Sequence, residues 1–214
     1  MKKLLAALSV AVPCAGASAT GLYLQGGTLG VGAGAQFDAA EQFDVRADFN
    51  VLNFKHNVST TDASYDARLK LMDTALLADY HPFSGAFRFS AGALVSNSKL
   101  TGTEVVNANG TVTINGNPYL VGAGDSVTFV AKFPSVRPYF GVGWGLTPAT
   151  TGVFLTSDLG VAFGRPTVTV TATPNITALP GANSDISQEQ ATLQSKVDGA
   201  RFYPVLRIGV GYAF

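Results

Sequence analysis

The chain has 214 residues, of which 47% are hydrophobic, 10% aromatic and only 13% charged, with fourteen basic residues against fourteen acidic ones. This balance lacks the basic excess of a nucleic-acid binder, and the composition is the reverse of the charge-rich, aromatic-poor make-up of disordered segments. Beyond the signal-like start no stretch approaches the roughly 20 consecutive apolar positions of a membrane-spanning helix, so the apolar surface must be accommodated in another way.

Lys2 and Lys3 precede an apolar run, Leu4 to Val12, and then Ala17-Ser18-Ala19. A basic start, a short hydrophobic stretch and a small-x-small site read as a secretory signal peptide over residues 1–19, cut after Ala19. Cys14, the only cysteine, falls inside it behind Pro13, a poor residue for a lipoprotein site. The expected mature domain, 20–214, therefore has no cysteine and no disulfide, and twelve bases against fourteen acids. Its expected destination is the envelope of a Gram-negative bacterium.

The mature chain then alternates. Strand side chains point to opposite faces with a period of two, and segment after segment separates apolar from small or polar residues on that period. Leu29, Val31, Ala33, Ala35 and Phe37 oppose Thr28, Gly30, Gly32, Gly34 and Gln36. Phe43, Val45, Ala47, Phe49 and Val51 oppose Asp44, Arg46, Asp48 and Asn50. Phe87, Phe89, Ala91, Ala93 and Val95 oppose Arg88, Ser90, Gly92 and Ser96. Phe140, Val142, Trp144 and Leu146 oppose Tyr139, Gly141, Gly143 and Gly145, and Val153, Leu155, Leu159, Val161 and Phe163 oppose Thr156, Asp158, Gly160 and Gly164. The last segment sets Phe202, Leu206, Ile208, Val210, Tyr212 and Phe214 against Arg201, Tyr203, Arg207, Gly209 and Gly211.

One face is too small and too charged for the core of a soluble sandwich; the other is too uniformly apolar for water. Turning the apolar face to lipid resolves both. The expected fold is all-β: a transmembrane antiparallel β-barrel of about eight strands, with short periplasmic turns and long extracellular loops carrying one short helix. If the last strand and Leu29–Phe37 both descend, a rising strand must precede them, and Gly21–Gly26 is the candidate; seven strands with a parallel closure is the alternative. Phe43, Tyr80, Trp144, Tyr212 and Phe214 fall at strand ends, as membrane-belt aromatics. The short turns are Asp38–Gln42, His81–Gly85 and Thr147–Gly152; the long loops are Lys55–Tyr65, Thr101–Ser126 and Thr173–Ala200. Thr111–Ile114 before Asn115-Gly116 suggests a small hairpin projecting into solvent, and Ser184 could cap a helix to Asp198 with Ile186, Leu193 and Val197 on one side. Arg68, Lys70, Asp73 and Asp79 cannot share a face, which suggests a bulge near Met72; the phase slips again at Gly164-Arg165-Pro166, where the strand should leave the bilayer.

Little points to catalysis. His56 with Ser59 and His81 with Ser84 lie in expected loops and turns without the third group that orients a base. No spacing suggests a metal or cofactor site, and the glycine-rich runs precede no helix, so they are not phosphate loops. The charges expected inside the bore are Asp44, Arg46, Asp48, Arg88, Arg137, Asp158 and Arg207, joined less securely by Arg68, Lys70 and Asp79. They read either as an electrostatic plug or as a selective path for small zwitterionic or cationic solutes; eight strands enclose only enough space for side chains to fill.

Leu24 to Gly34, Tyr80-His81-Pro82, Arg137 to Gly145, Asp158 to Val161 and Tyr203-Pro204-Val205 give the chain a resemblance to CarO-type outer-membrane proteins. The resemblance implies a monomeric eight-stranded barrel with sizeable external loops, and a role in uptake of basic or small amino acids and in carbapenem susceptibility. The expected partners are outer-membrane lipid and lipopolysaccharide, the barrel assembly machinery through the terminal strand ending on Phe214, and small polar solutes. The functions left open are a narrow solute channel, a closed structural or surface-interaction barrel, and a lipid-modifying enzyme.

Overall fold

The computed structural model describes residues 19–61, 63–108, 110–145 and 151–214. Nearly all of the expected signal peptide, Cys14 included, and most of the Thr147–Gly152 turn lie outside the described residues. The strands in chain order are β1 (Ala19–Gly27), β2 (Gly30–Ala40), β3 (Phe43–Ser59), β4 (Ala63–Tyr80), β5 (Phe87–Ser96), β6 (Lys99–Val106), β7 (Gly110–Ile114), β8 (Asn117–Val121), β9 (Ser126–Lys132), β10 (Val136–Trp144), β11 (Gly152–Phe163), β12 (Thr167–Ala172) and β13 (Phe202–Ala213). Helices α1 (Pro174–Thr177) and α2 (Ala182–Val197) and a 3-10 turn at Asp198–Arg201 separate β12 from β13.

Eight strands close into a ring in the order β1, β2, β3, β4, β5, β10, β11, β13, every neighbouring pair antiparallel. Closure is what hydrocarbon demands, because lipid offers no partner to an open strand edge. The outside is apolar: Leu24, Phe49, Phe89, Phe140, Leu155 and Ile208 are all exposed. Alternation is sharp, as adjacent positions show: Phe89 is 50% exposed and Arg88 0%. β1 is the rising first strand, paired on both sides, so the seven-stranded alternative falls.

β3 and β4 are 17 and 18 residues long, whereas a tilted membrane-crossing strand needs about 9–11. Their far halves therefore stand above the bilayer, on the side taken as external because it carries the larger connections. Lys55–Ser59 and Ala63–Tyr65 of the expected loop are strand instead, in unbroken register from Phe43–Tyr80 to Ser59–Ser64. That register also leaves no bulge near Met72. Asp73 and Asp79 face the bore and are buried, while Arg68 and Lys70 take the opposite parity at a height where the outward face has left the hydrocarbon. A second exception is Leu29: at the β1–β2 turn it folds inward and is buried instead of facing lipid.

Above the ring, β6 continues β5, β9 leads into β10 and β12 continues β11 across short interruptions, the last at the expected 164–166, and the three extend the wall as a sheet ordered β3-β4-β6-β9-β12. α2 lies on this sheet's inner face, with Ile186, Leu193 and Val197 against Ala131, Val168 and Val170. Its N-cap is Gly181 at φ 82°, not Ser184. Side chains one helical turn apart on α2 reach alternate residues of β12: Gln194 Oε1 accepts from Val168 N at 2.9 Å and Gln190 Oε1 from Val170 N at 3.1 Å. The β7–β8 hairpin turns at Asn115 (φ 51°) and Gly116 (φ 79°), the positive pair of a type I′ turn. It does not project into solvent. Val112 and Ile114 are buried with Ile176 and Ala182, and Asp185 of α2 accepts from Tyr119 Oη at 2.5 Å and Asn117 Nδ2 at 2.8 Å.

Hydrogen bonds from Tyr119 and then Asn117 hold the Asp185 carboxyl below its ordinary value. A depressed carboxylate stabilises the docked form while ionised, so docking is intact above about pH 4 and weakens as pH falls through the lowered value. Hydrogen exchange, corrected for its intrinsic pH dependence, should show hairpin protection lost only below about pH 4. In Asp185→Asn, protection should already be reduced at neutral pH.

Candidate functional site

Inward-facing residues fill the bore in layers, and small residues stand opposite large ones. At the end with the short turns, Asp44 Oδ2 accepts from Gln36 Nε2 at 2.6 Å and lies 2.9 Å from His81 Nε2. His81 Nδ1 is 2.8 Å from the Gly85 carbonyl. The next layer is ionic. Arg46 pairs with Asp79 and sends both Nη atoms to Asp158 at 3.0 Å, with Ser90 Oγ at 3.2 Å. Arg88 Nη2 donates to Asp158 and to Thr156, each at 2.9 Å. Arg207 Nη1 reaches Asp48 at 2.5 Å, and Tyr23 donates to the same carboxylate.

An apolar layer crosses the bore above this: Leu29, Ala75, Leu77, Leu94, Tyr139, Ala162 and Val205, none more than 2% exposed. Towards the external mouth a second ionic set follows. Arg137 Nη2 donates to Asp73 at 2.6 Å, Ser98 donates to the same side chain at 3.1 Å, and the Phe133 and Tyr203 rings lie 5.0 and 5.5 Å from the guanidinium carbon.

The glycines are the counterpart of these large side chains. A Cβ on Gly160 would lie 2.4 Å from Tyr139 Oη, and one on Gly34 would lie 2.4 Å from Tyr23 Cζ. In so narrow a bore these tyrosines fit because the neighbouring strand has no side chain at the contact.

The structure buries all of Asp44, Arg46, Asp48, Arg88, Arg137, Asp158 and Arg207 and brings them into these contacts. Asp79 joins them, and so do Asp73 and His81, which the sequence reading did not place inside; Arg68 and Lys70 are outside and exposed. Counting parity back from the lipid-facing Tyr80 secures Asp79 and would have found Asp73. Among the described residues the bore thus holds four arginines and five aspartates, with His81 beside Asp44. Some donors, among them Arg88 Nη1 and Arg137 Nε, have no acceptor among the described residues.

Phe43, Tyr80, Trp144, Tyr212 and Phe214 are all exposed near the short-turn end. Phe43 stacks on Tyr80 with centroids 4.9 Å apart, and Trp144 meets Phe87 edge-on at 4.9 Å. His56 lies exposed on β3, outside any loop. Ser84 Oγ accepts from Gln42 at 3.2 Å, while both nitrogens of His81 face other partners. Among the described residues no three His, Cys, Asp or Glu side chains gather as a metal site.

The fold and its bore define the class: a closed eight-stranded transmembrane antiparallel barrel with charged residues inside. No family model matches the chain, and no curated protein is similar to it. Solved structures are similar in fold. CarO of Acinetobacter baumannii superposes with a TM-score of 0.57, and CarO2 of the same organism with 0.60, each at 18% identity. Both cover 92% of this chain, and 98% and 99% of their own. A major outer membrane protein of Thermus thermophilus gives 0.39 at 12% identity, covering 91% of this chain and 99% of its own. The fold is that of the CarO-type outer-membrane barrels.

Removing one partner of a buried ion pair strands the other charge, at a cost of about 3–5 kcal/mol. Arg46→Met should lower stability on that scale in urea unfolding from lipid vesicles. Adding Asp79→Asn should recover much of the loss, because Asp79 otherwise keeps only Ser90 and Arg88, at 2.5 and 3.6 Å. Gly34→Ala should cost about 1–3 kcal/mol through overpacking and be only partly relieved in a Tyr23→Leu background, because Asp48 Oδ1 would still lie 2.3 Å from the new Cβ.

Proposed function

We propose that the protein is a bacterial outer-membrane barrel with a shut bore, an anchor that holds its external sheet, hairpin and helix at the cell surface. The carrying observation is the transverse apolar layer from Leu29 to Val205, sandwiched between two ionic layers. A polar solute crossing it would lose most of its hydration to hydrocarbon side chains and find only the Tyr139 hydroxyl as a hydrogen-bond partner in the layer, at several kcal/mol. The charges that suggest a selective path are engaged with one another, and an eight-stranded bore is filled by such side chains. The reading includes export by the N-terminal signal, assembly through the strand ending on Phe214, a monomeric state and no enzymatic activity. The two histidines support the last point, since neither is set beside a serine as its base.

The rival reading is a narrow facilitator for small polar solutes such as amino acids. It requires Leu29, Leu77 and Leu94 to part and the Arg46–Asp79–Asp158 cluster to reopen. In planar bilayers the protein should give no steady conductance, and proteoliposomes in glycine, ornithine or arginine should swell no faster than empty vesicles. Regular current steps or solute-dependent swelling would overturn the closed-bore reading.

A further inference from the structure

Five cations outside the bore share one face of the extended wall. In register, Lys70 of β4, Lys99 of β6 and Lys132 of β9 stand directly opposite one another, and Lys55 of β3 faces Arg68 of β4 one outward step higher. All five are exposed, and among the described residues none of them makes an ion pair. Adjacent strands lie about 4.8 Å apart, so each charge sits inside one Debye length, about 8 Å at physiological salt, of its neighbour in the row. Like charges directly opposite destabilise a sheet. The acid that shares this face of β4, Asp66, lies one outward step beyond Arg68, past the three-lysine row.

The height of the row is specific. Its side chains have the parity of the lipid-facing residues below them: Met72 on β4, Val95 on β5 and Val136 on β10, all exposed and apolar. Lys70 is the next outward residue after Met72, and Lys99 and Lys132 lie two outward steps beyond Val95 and Val136. The cations therefore begin within about 7–13 Å along the strands from the last exposed hydrophobes, the depth of lipid headgroups.

We propose that this face binds the phosphate groups of a phosphorylated glycolipid in the outer leaflet around the barrel. Lys70, Lys99 and Lys132 form the primary contact, and Arg68 and Lys55 form the upper one. Phosphates would neutralise the row's self-repulsion, and acyl chains would lie on the apolar band continuous with it. A soluble anion supplies only the first of these, which commits the site to a membrane lipid. The inference rests on the barrel crossing the outer membrane and not on its bore being closed, so a failed conductance test leaves it standing.

The test uses the full chain in a neutral detergent, with native mass spectrometry counting bound bis-phosphorylated lipid A, its dephosphorylated form, and inorganic phosphate. Each cation near a lipid surface contributes about 1 kcal/mol, so wild type should retain the phosphorylated lipid about 10-fold or more above the dephosphorylated one. Lys70→Gln/Lys99→Gln/Lys132→Gln should abolish that preference, while Lys196→Gln should keep it. Heat-modifiable gel mobility checks folding, and in lipid-free detergent the triple variant should melt no lower than wild type. If the triple variant does not fold, Lys99→Gln alone must weaken retention. Equal retention of both lipids, retention indifferent to the lysines, or competition by equimolar inorganic phosphate would overturn the proposal, the last marking an adventitious anion site only.

Discussion

The rest of the structure depends on one pairing: the guanidinium of Arg46 held between Asp79 and Asp158 at the centre of a bore too narrow for anything but side chains. Lipid outside forces the polar residues inward, and eight strands enclose a bore that side chains largely fill. Every inward charge must then find its partner across the ring. Arg88 and Arg207 do so on the same Asp158, at 2.9 and 3.4 Å, so five strands, β3, β4, β5, β11 and β13, are tied by one cluster. Room for large inward side chains comes from neighbouring strands with glycine at the contact, as Gly34 gives to Tyr23 and Gly160 to Tyr139.

The external part is built from the same wall under a different solvent. Where the hydrocarbon ends, strands no longer need a closed ring, and the sheet opens at β12. An open edge is a template for unwanted pairing, and α2 covers it: Gln190 and Gln194 take the N–H groups of Val170 and Val168 as a further strand would. Its apolar side seals the sheet's inner face, and its carboxylates hold the hairpin, with Asp185 on Tyr119 and Asn117 and Glu189 on the Asn115 backbone at 3.1 Å. The platform thus has its own buried core, from Val112 to Ile176, separate from the bore.

Parity made the wall legible in the sequence, since hydrocarbon outside and charge inside is a strong contrast at period two. Phe89 against Arg88, or Trp144 against Gly143, could be read without a structure, and those assignments brought the lumenal arginines together. The reading failed where the contrast changes meaning. Once β4 rises past Met72, outward no longer means apolar, so Arg68 and Lys70 conflicted with Asp73 and suggested a bulge that the register does not contain. Polarity likewise made Lys55–Tyr65 resemble a loop, although a strand in headgroups or water has no reason to be apolar. Leu29 was missed because a turn residue need not obey its strand's phase. The docking of the hairpin on α2, and of Asp44 on His81, depends on contacts between elements far apart in sequence or across a turn, which no local pattern encodes.

Why the bore is ionic at all follows from the cost of the alternatives. An apolar interior would make both faces of each strand compatible with lipid, and a one-residue slip, which exchanges the faces, would meet little resistance. With Asp44, Arg46 and Asp48 on successive inward positions of β3, the same slip would expose three charges to the bilayer, each cationic one costing about 2–4 kcal/mol near the midplane. It would also leave Asp79 and Asp158 buried without Arg46. The ion pairs need not exceed an apolar core in stability to be useful, because a buried pair often matches its hydrophobic substitute and no more. Their contribution is to make every other register much worse, and the wall then has one way to close.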